Sequence, residues 1–437
     1  MGLLFAAGAQ AQITTQLLIG DSVSEIGTKY GEIDEAIKRF TNGDVLGARQ
    51  FLEAAKKKDA GLPPVDLLLA KLYFLTNNAA LGRSSLEKTA QETPADPEAY
   101  LLMADQAAQQ GRMIEADALY DKVLQLNEKF SGNAKRKRNF EIRARAGRAA
   151  VAQRRKNWEL AVSDLKALLA ADPENAGAHL RLGQALFMQK QYRDGYNEFV
   201  SAKKADKDKA IPDPWVASAV MYDQLKMPKE TQQAFDKAMA ASKSDPNTIT
   251  SYTQWLIKSG TPENLAKAET LLAEARKSNS SDLNLLILSG VGARMTKKMK
   301  PAEDYFVAAL GVAPANVEVI NQLALLLIEQ QDPGKRNRAL QFAQMNAQLN
   351  PNSADAQITL AWVYYQLGRP AEAEATLRNA LQLGNPSQDS SYLVAKILAE
   401  QNKPDFAKQL LRRALDTETP GIFIYRKDAE TLLSSLK

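Results

Sequence analysis

Residues 354–387 read ADAQITLAWVYYQLGRPAEAEATLRNALQLGNPS. Apolar residues recur there at helical spacing twice, first as Leu360, Ala361 and Tyr364, then as Ala373, Leu377, Ala380 and Leu381. Gly368-Arg369-Pro370 supplies a tight turn between the two stripes, and Asn385-Pro386 stops the second helix. A hairpin of two such helices leaves apolar surface on both outer sides. It must therefore stack on neighbours of its own kind.

The chain supplies those neighbours at nearly constant period. A small residue near the start of each second helix, where the two helices approach closely, falls at Ala48, Gly82, Ala116, Ala161, Gly195, Thr231, Ala268, Ala302, Ala339, Ala373 and Ala407. Successive spacings are 34, 34, 45, 34, 36, 37, 34, 37, 34 and 34 residues, which defines eleven units. Four residues after each marker stands a bulkier side chain, from Leu52 and Leu86 through Phe306 to Leu411, with Ala343 the one small exception.

In this register the chain resembles the tetratricopeptide repeat family, whose pattern is W-x2-L-G-x2-Y, then A-x3-F, then P. One unit reads Tyr100-x2-Met103-Ala104-x2-Ala107 and Ala116-x3-Tyr120; another reads His179-x2-Leu182-Gly183-x2-Leu186 and Gly195-x3-Phe199. A third carries Leu286, Ser289-Gly290, Ala293, Ala302, Phe306 and Pro314. The resemblance implies an all-α chain, an α-solenoid of about eleven helix-turn-helix repeats that binds other proteins. The expected architecture is about 23 helices in one right-handed superhelix, closed by a capping helix at Tyr425–Leu436.

The spacing divides the chain into six stretches. Residues 1–11, MGLLFAAGAQA, read as the remnant of a secretory signal, because the apolar run Leu3–Ala7 precedes the small-x-small Ala9-Gln10-Ala11. That places the mature start at Gln12 and the protein in a secreted or periplasmic setting, with a cytoplasmic location as the alternative. Residues 12–28 are a leader, 29–128 hold repeats one to three, and 129–156 form an insertion and basic segment opening repeat four. Residues 157–419 complete repeats four to eleven, and 420–437 form the cap. The long spacing of 45 residues points to a joint near Phe130-Ser131-Gly132-Asn133.

Composition narrows the chemistry. Among 437 residues there is no cysteine and a single histidine, His179, which removes cysteine nucleophiles, disulfides and Cys/His zinc sites. His179 stands in the aromatic slot of its repeat and reads as a packing or groove residue. Gly290-Val291-Gly292 fills a helical small slot with no strand before it, so it is not a phosphate loop. No run of about 18 apolar residues is present to cross a membrane. No catalytic residue, metal ligand or cofactor site is expected, and the function read from the sequence is a non-enzymatic scaffold.

Two surfaces are candidate partner sites. Ile358, Trp362, Tyr365 and Tyr392 lie on the first-helix side away from the packing stripe, where exposed aromatics would anchor a protein partner. Phe74, Arg181, Phe187, Val291, Leu325 and Lys396 share that side. The set of Lys, Asn and Arg with which co-chaperone members grip a terminal carboxylate is absent; Leu67, Lys71, Leu101, Asp105, Ala146 and Ala150 stand there instead. The second surface is the stretch Lys135–Lys156, with ten basic residues opposed by Glu141 alone, whereas the whole chain carries a net +5. Lys135, Arg136, Lys137, Arg138, Arg143, Arg145 and Arg148 would form a patch for a polyanion, an exopolysaccharide or nucleic acid, although no nucleic-acid fold accompanies them. Exposed charges of this kind contribute only about a few tenths of a kcal/mol each, so their loss should leave the fold intact.

Overall fold

The computed structural model describes residues 13–20, 22–23, 30–242, 245–384, 386–417 and 421–436. The proposed signal remnant, residues 1–11, lies outside them. Among the described residues there are twenty-four helices and no strand. Eleven helix pairs run from Gly31–Thr41 with Val45–Lys58 to Gln388–Glu400 with Pro404–Leu415. Two helices lie outside the pairs: Thr15–Ile19, which the sequence pattern does not show, and the expected last helix, Arg426–Ser435. The chain forms two compact units, one up to Pro214 and the other from Trp215.

Local chemistry sets each pair. First helices begin where Asp96, Asn133, Asn175, Asp245, Asp282, Asn316, Ser353 and Ser387 accept a backbone N–H of the first turn. In ten of the eleven pairs the turn to the second helix holds a residue at positive φ: Gly43, Asn77, Gly111, Lys156, Lys190, Lys226, Gly260, Lys297, Gly368 and Asn402. A left-handed residue reverses the chain in the fewest steps. Glycine or asparagine suits it, and the four lysines adopt it at a steric cost.

All eleven small markers are buried, and so are the eleven side chains four residues later. The small slots matter because rings fill the space above them. A Cβ on Gly290 would lie 2.5 Å from Cε1 of Phe306, so this glycine admits a ring and binds no phosphate. Phe74 and Phe187 depart from expectation for the same reason. Their rings turn inward over Gly82 and Gly195 of the second helices, and Phe187 stacks on Phe199 with centroids 5.3 Å apart.

The long spacing at repeat four makes no joint. Met113–Lys129 has 17 residues and Ala134–Arg154 has 21, against 14 for Trp158–Ala171 and 13 for Ala176–Met188, with equal four-residue loops. The surplus is all helix. Its new amino-terminal end reaches back to the start of the chain: Asn133 donates to the Ser22 carbonyl at 2.7 Å, and Lys135 to those of Gly20 and Val23.

In the unit from Trp215, the first helices Pro246–Ser259, Leu283–Met295, Val317–Ile328, Ala354–Gln366 and Gln388–Glu400 each touch the next, while successive second helices do not approach comparably. This inner layer buries Val291, Leu325, Ile358 and Tyr392 between neighbouring first helices.

Candidate protein-interaction face

The first-helix face of the carboxyl-terminal unit is built from residues three to four apart, which reach the same side of their helices. Arg294, at the end of Leu283–Met295, is 4% exposed. Its guanidinium donates to Gln322 and to Glu329, each at 2.6 Å, which ties successive units together. Burial disfavours the Arg294 charge, but Tyr425 and Glu329 more than restore it.

A non-helical segment, Gly421–Tyr425, lies on this face. The Tyr425 hydroxyl donates to Glu329 and accepts from Arg294, and the Tyr425 N–H donates to the Asp389 carboxylate at 3.1 Å. Its ring stacks on Tyr392 with centroids 5.0 Å apart, and the Arg294 guanidinium lies 5.0 Å from the ring centre. Phe423 is buried in the apolar cluster that contains Ile358, Trp362 and Tyr392. Ile422 and Ile424 pack instead on the cluster formed by residues between 216 and 326. The sequence pattern did not single out Arg294, Glu329, Asp389 or Tyr425; the one signal was the apolar run Ile422-Phe423-Ile424-Tyr425, which falls outside the repeat register.

The structure brings Ile358, Trp362, Tyr365 and Tyr392 together, but not as exposed anchors. Trp362 is 5% exposed, stacked on Tyr365 at 6.1 Å with the Lys396 ammonium 5.3 Å from its ring centre. Ile358 and Tyr392 are buried as well, because each first helix covers the one before it. Tyr365 is partly exposed, and its hydroxyl donates to Glu400 at 2.5 Å. That bond, with burial, pushes the Tyr365 phenol up to about 12.

The basic segment is also corrected. Arg136 is 4% exposed, paired with Asp96 at 2.8 Å and Glu98 at 2.7 Å, and packed against the rings of Phe130 and Phe140. Arg143 pairs with Asp105; Arg145 pairs with Glu141 and Asp164; Arg148 pairs with Asp121 and Asp164. Lys135, Lys137 and Arg138 donate to backbone carbonyls. Apart from Glu141, the acids sit 16 to 40 residues away in the flanking helices. Four of the seven predicted patch residues are thus ion-paired within the fold.

His179 has both ring nitrogens engaged, Nδ1 with Glu198 at 2.6 Å and Nε2 with the Pro173 carbonyl at 2.9 Å. Among the described residues no cluster of acidic and histidine side chains could hold a metal ion, and no helix is long and apolar enough to cross a membrane.

Family models described as tetratricopeptide repeat match residues 145–195 and 332–397. No curated protein matches the chain. Among solved structures it is similar to TTC0263, a thermophilic TPR protein of Thermus thermophilus. The identity is 21% over 42% of this chain and 99% of that one, with a TM-score of 0.33. It is also similar to yeast Tom70, at 14% identity over 93% of this chain and 95% of that one, with a TM-score of 0.42. MamA from Desulfovibrio magneticus gives 22% identity over 41% of this chain and 93% of that one, with a TM-score of 0.32. With the repeat matched at residues 145–195 and 332–397, one stretch within each compact unit, and eleven helix pairs in one register, the chain carries tetratricopeptide repeats.

Proposed function

We propose that the chain is a non-enzymatic scaffold that holds a partner protein on the first-helix face of its repeats, outside the cytoplasm. One observation carries the scaffold reading. Side chains from three separate repeats, Arg294, Glu329 and Asp389, converge on a non-helical peptide segment, which is what protein recognition by a repeat array requires. The apolar run Leu3–Ala7 with Ala9-Gln10-Ala11 supports the location.

Cross-linking the full chain in its native compartment, followed by mass spectrometry of the links, tests the scaffold. Partner links should cluster at first-helix residues such as Tyr365 and Lys396, and Lys396→Ala should deplete them. Links confined to second helices would refute the face. Mass measurement of the protein from its own host tests the location, with a mature start at Gln12 expected and a retained Met1 refuting it.

A further inference from the structure

We propose that the first-helix face of the unit from Trp215 is a receptor for a short peptide of alternating β-branched and aromatic residues ending in tyrosine, carried by a partner protein. The chain's own Gly421–Tyr425 occupies that receptor until such a peptide displaces it. This rests on the scaffold reading above.

The path of the segment is the first argument. A cap needs only to cover the last pair, and Arg426–Ser435 does so with Ala429 buried and Leu432, Leu433 and Leu436 packed on the same cluster. Seven of the ten links between consecutive units have four residues, as from Ala171 to Ala176, and the others have five, six and eight, whereas ten separate Leu415 from Arg426. The last residue of this link, Tyr425, reaches Arg294 and Glu329, which belong to the eighth and ninth pairs. Capping the eleventh pair requires no contact that far upstream.

The chemistry of the grip is the second. Buried Arg294 and its partner Glu329 present a donor and an acceptor to one hydroxyl, an arrangement that selects tyrosine over phenylalanine. Asp389 takes a main-chain N–H, which any peptide offers. Ile422 and Ile424 enter one apolar cluster and Phe423 the other, so successive side chains are read in opposite directions. A structural plug would need apolar contact alone.

Tethering makes the resident segment a strong competitor. An occupant held at an effective concentration of about 1 mM weakens a peptide of about 10 μM intrinsic affinity by about 100-fold, so a partner must bind additional surface or arrive at high local concentration.

The test uses a fluorescent peptide of residues 421–428, GIFIYRKD, and the full chain. Phe423→Ala with Tyr425→Ala should raise peptide affinity about 100-fold over wild type, and replacing the peptide's tyrosine by phenylalanine should lose most of that gain. A folded double variant that binds no better than wild type overturns the proposal. Should that variant not fold, hydrogen exchange of the wild type decides: saturating peptide must speed exchange at the Tyr425 amide, and an unchanged rate overturns it. A sedimenting dimer of wild type that exchanges this segment assigns the occupant to a second copy and overturns the partner. Failure on any of these counts leaves the cross-linking test of the scaffold untouched.

Discussion

Replacing Arg136 by methionine keeps most of the side chain's apolar stem and removes its charge. Glu98, 2% exposed, then faces only Lys71, and Asp96 loses its guanidinium. Leaving a buried charge short of a partner costs about 3–5 kcal/mol. Titration gives the pH window of the effect. Burial alone would raise the Glu98 carboxyl, but Lys71 and Arg136 overcome it and pull the group from 4.5 to about 2. A depressed carboxyl stabilises above its unfolded value, and this shift corresponds to about 3 kcal/mol, lost as pH falls from about 4.5 towards about 2. Because Lys71 shares in this shift, titration sets the sign and the pH window of the Arg136 effect, and the broken buried pair sets its size. Urea unfolding of Arg136→Met should therefore show a penalty of about 3 kcal/mol at pH 7 that shrinks by pH 3. Arg138→Ser, whose partner is an exposed carbonyl, should cost at most about 0.5 kcal/mol. Because repeat arrays need not unfold as one step, hydrogen exchange over Pro97–Gln109 and Ala134–Arg154 gives the local reading. Equal penalties for the two variants, or a penalty for Arg136→Met that ignores pH, would refute the reasoning.

Three further outcomes follow from described contacts. Trp362→Ala should destabilise the carboxyl-terminal unit by about 3 kcal/mol, as for a core ring, while Tyr365→Phe should cost under about 1 kcal/mol; thermal melts that rank them the other way would show the indole to be dispensable to the core. Lys190→Gly and Lys297→Gly, at φ of 64° and 59°, should each raise stability by about 0.5–1 kcal/mol, and a drop in the urea midpoint would contradict the strain assigned to those turns. Burial pushes the Asp389 carboxyl up to about 6, with the Tyr425 amide and Arg294 pulling the other way. A raised carboxyl holds its proton more tightly folded than unfolded, so stability declines as pH climbs from the unfolded value of about 4 through about 6. Asp389→Asn should flatten that decline while keeping an acceptor for Tyr425, and a melt series with the wild-type slope would count against it.

The fold was legible because its signal is local. Ala373 and Leu377 lie in one helix, pack on the helix just before it, and repeat that arrangement eleven times, so spacing alone exposes the pairs. Burial of Trp362 was not legible, since it depends on how the next first helix lies over its ring. The basic segment misled for a related reason: opposition was sought within Lys135–Lys156, whereas Arg136 answers Asp96 and Glu98 about one period earlier. The grip on Tyr425 was hidden further still, in residues 36 to 131 positions away that share no register with it.

That separation has a kinetic consequence. Nearly every helix finds its partner within the next few dozen residues, so the array can condense as it leaves the ribosome. Tyr425 emerges 131 residues after Arg294, roughly 10 s later at ordinary rates of synthesis. Over its last 96 residues Arg294 and Glu329 can stand together without the tyrosine that later bridges them. A nascent chain thus offers a competing peptide a window in which it meets no resident rival.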